Sequence, residues 1–321
     1  MMEQTSNRYP VRRGWLAPIL WLAVVAWTVV GAPARASIPP VEARLQVELE
    51  RIYSLWKTAF STKDLSSWAR YTARSRQMAV RNAIVSQKRD WPRALFTLAL
   101  APPETTGLRL AGSQAIGDQA RLIYYGRVDF RLDDPRTPPE NALVLDFARE
   151  QGQWKFYGGR YFNFTNDPSL GAQVAQGNFT VLSGPGAELT GHAPPVPKPC
   201  PVPAFPGQIR INSIGYHTKI RLGDWHQDTV ANRTSNEIVL GGLQKGTTPL
   251  RLEVQPIEGV PTDQRSLEVQ VYAITEQLKT PAVRVFHFQP NNPVGPTHDL
   301  TVSVTPATLR TGNEIDLIPA Q

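Results

Sequence analysis

Residues 142 to 159 read ALVLDFAREQGQWKFYGG, and this stretch decides the fold of the first half of the chain. Leu143, Leu145 and Phe147 occupy every second position, which places them on one face of a strand and Asp146 on the other. Gln151 and Gly152 interrupt the alternation, and Trp154 resumes it. The stretch therefore predicts a β-hairpin, and the question is whether its sheet encloses a catalytic pocket, a binding pocket or only a packed core.

Helical periodicity precedes this hairpin. Apolar residues recur at spacings of three and four along the first helix, at Leu45, Leu49, Ile52, Trp56 and Phe60. Further helices are predicted around 65–71, over 75–86 and, shortly, after Pro92. A second alternating stretch, DQARLIYYGRVDF, then places Leu122 and Tyr124 on one face of a strand. Helices followed by an antiparallel sheet predict an α+β domain with the helices on one face.

These elements resemble the nuclear transport factor 2-like superfamily, also called the SnoaL-like or cystatin-like fold. The resemblance rests on the spaced aromatic residues of the helices, on GDQARLIYYGRV and on LVLDFAREQGQWKFYGGRYF, and it covers about Val41 to Phe164. It implies an α+β cone, with helices packed on a curved antiparallel sheet. The superfamily includes isomerases, epoxide hydrolases, dehydratases, transport adaptors and ligand-free accessory domains, so the resemblance implies no single activity.

The N-terminus has the pattern of an export signal. Arg12 and Arg13 precede an apolar run from Trp15 to Val30, and a small-x-small site follows that ends at Ala36. This pattern predicts a secretory signal peptide cleaved after Ala36, and hence a periplasmic or secreted protein. An uncleaved membrane anchor is the alternative. The arginine pair partly resembles a twin-arginine signal, but the strong hydrophobicity of the run favours the general secretory route.

A Gly- and Pro-rich linker at 167–206 follows the α+β domain, and its Pro cluster, 194–206, is typical of an extended, semi-rigid spacer. The single cysteine, Cys200, lies in this cluster, so we expect an exposed, inert thiol, with an intermolecular disulfide as the alternative. The predicted organisation is a signal peptide at 1–36, an α+β domain at 37–166, the linker, and a second domain at 207–321.

The second domain reads as strands throughout. From Gln208 onward, seven short alternating segments are divided by Gly, Pro, Asn and Asp, which predicts an all-β sandwich. The stretch IVLGGLQKGTTPLRLEV is similar to strand endings in jelly-roll and immunoglobulin-like modules of envelope and glycan-associated proteins. The expected fold class is therefore an α+β cone followed by an all-β sandwich.

Catalytic groups are scarce in the first domain. No histidine precedes His192, so a His–Asp dyad is excluded there, and only carboxylate or Tyr chemistry remains. Asp129, Arg131 and Asp133 share a strand face opposite apolar residues, which indicates a solvated ion-pair row; the same alternation places Asp146 on the outer face. The residues that could line a ligand pocket, or else form core, are Tyr53, Trp56, Trp91, Phe96, Tyr124, Phe147 and Phe156.

The second domain offers two weak candidate sites. Tyr216 and Trp225 could stack on a sugar ring or contact a partner protein, if they are exposed. Asp224, His226 and Asp228 alternate in GDWHQD, but without a second His or Cys cluster nearby a polar turn is favoured over a metal site. The sequence contains no Gly-rich phosphate loop, zinc signature or nucleophile elbow, so no catalytic residue, cofactor or metal is assigned.

The distribution of basic residues does not indicate nucleic-acid binding. The formal net charge is +7, but residues 1–36 contain four Arg and one Glu, so part of the excess belongs to the export signal. Four basic residues recur along one side of the helices, at Arg70, Arg74, Arg81 and Lys88. A solvated face is expected there, with anionic headgroups or an acidic partner as the alternative. Export and the absence of a recognisable stacking platform exclude nucleic acid.

The sequence thus favours an exported, non-enzymatic binding or assembly protein of the cell envelope. Its β-sandwich would engage a glycan or a protein, and its first domain would pack or form a homodimer through the sheet. The alternative is a small apolar ligand carrier or a pocket enzyme that uses the aromatic residues of the cone. An inward-facing carboxylate next to a Tyr hydroxyl would distinguish the second class from the first.

Overall fold

The computed structural model of the chain describes residues 41–97, 102–128, 140–165, 167–182, 188–275 and 282–311. The predicted signal segment, 1–36, and the predicted charged row at Asp129, Arg131 and Asp133 lie outside the described residues. The described part comprises a region of helices with an antiparallel sheet, followed along the chain by a β-rich region.

The helices begin and end close to the predicted positions, as α1 (Ala43–Ser61), α2 (Leu65–Tyr71) and α3 (Arg74–Ser86). The predicted stripe of α1 forms its buried face, at Leu49, Ile52, Tyr53, Trp56 and Ala59. Asp64 caps α2, because its carboxylate accepts a hydrogen bond from the backbone N–H of Ser67 at 3.0 Å. The predicted fourth helix is a 3-10 turn, Arg93–Phe96.

The four-stranded antiparallel sheet has the order β1-β2-β3-β4, with strands Arg109–Ile116, Gln119–Arg127, Glu140–Glu150 and Gln153–Asn163. The predicted hairpin is confirmed as β3 and β4. Gln151 and Gly152 have φ values of 52° and 78°, the left-handed conformation that a tight two-residue turn requires. Tyr157 is the extra residue of a β-bulge, since Phe156 pairs with Phe147 and Gly158 with Asp146.

Both faces of this sheet are covered. The inner face packs against the first helices through residues that include Leu122, Leu145 and Phe147. The outer face, at Ile123 and Val144, packs against α4 (Pro168–Ala175) and the 3-10 turn Thr180–Leu182. These two elements belong to the segment predicted as linker. The chain itself therefore covers part of the face through which a homodimer was expected.

The β-rich region is a six-stranded antiparallel sheet. Along the path β10-β7-β5-β8-β9, with β6 paired to β5, the strands are β5 (Gly207–Leu222), β6 (His226–Ile238), β7 (Gly246–Pro256), β8 (Ser266–Ile274), β9 (Ala282–Phe288) and β10 (Thr297–Val304). A 3-10 turn, Thr262–Gln264, precedes β8, and a short helix, α5 (Pro306–Thr311), follows β10. The two segments QIRINSIG and HTKIRLG, predicted as separate strands, form the single strand β5.

Strand β5 bends at Gly215. Its first half pairs with β8 and its second half with β7, while β6 pairs with both halves. Gly215 has a φ of 70°, and a Cβ atom there would lie 2.6 Å from Cγ of Arg265, so the bend requires glycine. The neighbouring strand β6 is curved as well. The backbone N–H of Leu240, just after β6, donates to Nδ1 of His226, the first residue of β6, at 3.4 Å. The two ends of β6 therefore lie close together, and the sheet curls towards a barrel.

Candidate functional site

Four of the seven aromatic residues predicted to line a pocket in the first region, Tyr53, Trp56, Phe147 and Phe156, form a group of contacting rings. Trp56 and Phe156 have ring centroids 4.2 Å apart, and Tyr53 lies 5.7 Å from Trp56 and 5.3 Å from Phe156. Five of the seven are buried, at Tyr53, Trp56, Tyr124, Phe147 and Phe156, while Trp91 and Phe96 are partly buried. These side chains form the core between helices and sheet.

A carboxylate and two Tyr hydroxyls lie at the edge of this core. Oη of Tyr124 donates to Oε1 of Glu50 at 3.0 Å, and Oη of Tyr53 donates to the Pro103 carbonyl at 2.8 Å. Burial raises the pKa of both phenols, and the Glu50 carboxylate raises the pKa of Tyr124 further, so both hydroxyls stay protonated at neutral pH. The pair of Glu50 and Tyr124 is the arrangement expected of a pocket with acid–base capacity.

A buried ion cluster lies on the outer face of the same sheet. Nε of Arg121 is 2.5 Å from Oδ1 of Asp146, and Nε of Arg160 is 3.3 Å from Oδ2. Arg160 also donates to the Leu182 carbonyl at 3.3 Å, which ties the cluster to the segment after α4. Asp146 does face outwards, but it is only 9% exposed, so the prediction of a solvated carboxylate was wrong because α4 and the following segment cover this face.

The proline strap, residues 194–206, is bound along α3 rather than standing free as a spacer. Nδ2 of Asn82 donates to the Lys198 carbonyl at 2.7 Å, and Oδ1 of Asn82 accepts from the Cys200 N–H at 2.9 Å. At the next turn of the helix, Oγ of Ser86 accepts from the backbone N–H of Gly241 at 2.7 Å. Helix α3 thus contacts both the strap and the β-rich region through buried polar groups.

The strap also explains Cys200 and half of the predicted basic face. Cys200 is 2% exposed, and its Sγ lies 3.6 Å from Oγ of Ser86, so the prediction of an exposed thiol was wrong. Arg81 donates to the Cys200 carbonyl at 3.2 Å, and Lys88 donates to the Ala204 carbonyl at 3.5 Å. These two cations hold the strap, whereas Arg70 and Arg74 are exposed.

The predicted sugar-stacking residues do not form a common platform. Tyr216 is 1% exposed, its Oη donates to Oδ1 of Asn292 at 2.9 Å, and the Arg265 guanidinium lies over its ring. No face of the Tyr216 ring is therefore open to a ligand. Trp225 is half-buried and packs on Gly241, where a Cβ atom would lie 2.9 Å from the indole ring.

The GDWHQD motif leads into a strand instead of forming only a turn. His226 and Asp228 open β6, and Glu237 closes it. Burial raises the pKa of Glu237, and the neighbouring Asp228 carboxylate raises it further; burial lowers the pKa of His226. The curl of β6 therefore brings Asp228 and Glu237 close together. Asp224 is exposed outside the strand.

An ordered polar network lies on the outer face of the β-rich sheet. Tyr272 donates to Oε1 of Gln270, whose Nε2 donates to Oε1 of Glu268 at 2.5 Å. Nε2 of His287 lies 3.0 Å from the same Glu268 oxygen. Arg210 pairs across from Gln270 on the adjacent strand and is exposed. This face carries amide, carboxylate and imidazole groups that bond to one another, with the Arg210 guanidinium beside them.

Sequence reasoning missed this network and the contacts of Asn82. The alternation of Arg210, Asn212, Glu268 and Gln270 with buried Ile and Val residues was a usable signal for the outer face. No comparable signal marks Asn82, because a polar residue within a helical pattern normally indicates the solvated side.

Among the described residues, no three or more His, Cys, Asp or Glu side chains are placed to hold a metal ion. The helices in these ranges are each too short or too polar to cross a membrane. In comparisons with known proteins, no family model, no curated protein and no solved structure matches this chain.

Proposed function

We propose that this chain is a non-enzymatic binding protein of the cell envelope, in which the first region is a support and the β-rich region engages a glycan or a protein partner. One contrast carries the proposal. The aromatic side chains that would line a ligand cavity fill the core of the first region, whereas the outer face of the β-rich region exposes Arg210, Asn236 and His287 beside a hydrogen-bonded network. Polar groups that are already held in place lose less side-chain entropy when they bind a partner.

We also infer the finer architecture. The element order of helices followed by a four-stranded antiparallel meander supports a nuclear transport factor 2-like cone. The bend of β5, which pairs with β8 in one half and with β7 in the other, supports a sandwich whose two layers share β5 and β6. The export assignment, periplasmic or secreted, rests on the apolar run and cleavage site before Ser37.

Co-sedimentation of the mature protein with isolated envelope fractions tests the binding role. We expect the protein to pellet with a polysaccharide- or protein-containing fraction and to be released by excess soluble polysaccharide or by protease treatment of the fraction. Treatment with a protease and with a glycan-degrading enzyme in parallel distinguishes the two kinds of partner. Failure to pellet with any fraction at low and moderate salt would contradict the proposal.

A second candidate function is a small-ligand carrier or pocket enzyme. The observation in its favour is the hydrogen bond from Tyr124 to the Glu50 carboxylate at the edge of the aromatic core. A saturable site for a naphthalene-sulfonate fluorescent probe, weakened by Tyr124→Phe, would favour this candidate. Absence of saturable binding by the folded protein would remove it.

A further inference from the structure

Two arginines on the outer face of the β-rich sheet form no ion pair with any residue in the parts of the chain that the structure describes. Arg210 lies on β5 and Arg284 on β9, and β8 runs between them. Burial raises the pKa of the Tyr272 hydroxyl. Both guanidinium groups oppose this rise, because a nearby positive charge favours the phenolate. The strand register agrees, because Arg284 pairs directly with Tyr272 and Arg210 pairs with Gln270, two residues before Tyr272 on the same face of β8.

The surrounding groups form a row across four strands. Asn236 on β6 pairs with Arg210, Arg210 pairs with Gln270 on β8, and Gln270 pairs with His287 on β9. Three strand spacings give this row a length of about 14 Å. Asn236, Arg210 and His287 are exposed, and the Gln270 amide is held by its bonds to Tyr272 and Glu268. Within this row the hydrogen bonds to Glu268 hold His287 and Gln270 in place, which reduces the side-chain entropy that these two residues would lose on binding.

The charge of the face is positive. Glu268 is the carboxylate of this network, and its Oε1 is already engaged by Gln270 and His287. The two guanidinium groups are left without a carboxylate, and a guanidinium binds a planar carboxylate through two parallel hydrogen bonds. Side-chain amides complement hydroxyl groups, because each amide both donates and accepts.

We propose that this face, centred on Arg210 and Arg284, binds an acidic polysaccharide, with the guanidinium groups on uronate carboxylates and the exposed Asn236 amide on a sugar hydroxyl. The inference rests on the proposed binding function and names its ligand class. An acidic peptide fits less well, since peptides that join sheets pair with free strand edges, whereas β5 and β8 are paired on both sides.

Affinity electrophoresis of the mature protein in gels with polygalacturonate, with a neutral glucan or with poly-glutamate tests the inference. The variants are Arg210→Ala, Arg284→Ala and the double variant. Arg221→Ala is the matched control, because Arg221 is an exposed arginine on the same strand outside the row. Matching thermal unfolding midpoints establish that all variants fold.

We expect retention by polygalacturonate alone, a loss of roughly tenfold or more in affinity for each single variant, and no change for Arg221→Ala. Equal retention by poly-glutamate would overturn the saccharide assignment. Binding to polysaccharide that survives the double variant would overturn this site and leave the proposed function standing. Failure to bind any polysaccharide or any envelope fraction would overturn both.

Discussion

Oγ of Ser86 accepts a hydrogen bond from the backbone N–H of Gly241 at 2.7 Å, and this buried bond joins the helical region to the β-rich region. The same hydroxyl donates to the Asn82 carbonyl at 2.6 Å and lies 3.6 Å from Sγ of Cys200. Three segments of the chain therefore meet at one turn of α3. The β-rich region, which carries the proposed binding face, is thus attached to the first region through α3.

Replacement of Asn82 tests the attachment of the proline strap. Asn82→Ala removes the partners of the Lys198 carbonyl and the Cys200 N–H, so the free energy of unfolding should fall by about 2–4 kcal/mol. Urea denaturation measures the change. Arg89→Ala, at an exposed position just after α3, is the control and should change stability by less than about 0.5 kcal/mol. Equal stability of the two variants would show that the strap is not held by Asn82.

The thiol of Cys200 reports on the strap directly. Because Cys200 is buried, a thiol reagent such as Ellman's reagent should react with it slowly in the native protein and rapidly in denaturant. In Asn82→Ala the native labelling rate should rise at least several-fold, while Arg89→Ala should leave it unchanged. Rapid labelling of the native wild-type protein would contradict the docked strap.

The ion cluster on the outer face of the first sheet should be essential for stability. Asp146→Asn leaves the buried guanidinium of Arg121 and that of Arg160 without their carboxylate, which should cost about 3–5 kcal/mol. The matched control is Asp118→Asn, whose ion pair with Arg149 is half-exposed and should contribute at most about 1 kcal/mol. Chemical denaturation compares the two, and equal losses would refute the burial argument.

Glu237 should make stability depend on pH. Burial and the Asp228 carboxylate raise the pKa of Glu237, and Arg233 opposes the rise. The stabilisation that Glu237 contributes is therefore fully present below its ordinary pKa of 4.5 and is lost as the pH rises through its pKa in the folded protein. Glu237→Gln stays neutral, so its thermal midpoint relative to wild type should increase from about pH 5 to about pH 8.

His226 changes stability with pH in the opposite direction, because burial lowers its pKa and the neutral imidazole favours the folded state at higher pH. His226 is present in both wild type and Glu237→Gln, so its effect cancels in the difference between their midpoints. Glu258→Gln, at an exposed turn, is the control for Glu237→Gln. A midpoint difference between Glu237→Gln and wild type that stays constant with pH would mean that the pKa of Glu237 is not raised in the folded protein.

The sequence predicted correctly those elements that depend only on residues close together in the chain. The stripe of α1 and the turn at Gln151 and Gly152 were readable because helix periodicity and a two-residue turn need only neighbouring residues. Strand β6 was missed over most of its length, since its inward positions carry His226, Asp228, Ser235 and Glu237 in place of apolar residues. A strand with polar residues on both faces has no alternation to detect.

The docking of the strap could not be predicted from sequence. Proline-rich composition indicates an extended chain, and the strap is extended, but whether it lies on a surface depends on partners distant in sequence. Asn82 and Lys198 are separated by 116 residues, and neither has a local pattern that points to the other. Burial of Cys200 follows from this contact and from nothing in its own neighbourhood.

Native mass spectrometry of the protein, purified from its own cells and compared with the denatured sample, tests the central claim most directly. If the first region is a packed support and the β-rich region does the binding, the folded protein should have the mass of the polypeptide or of a complex with a polysaccharide or protein. A small apolar molecule that is lost on denaturation would contradict the account and would make Glu50 and Tyr124 the functional site.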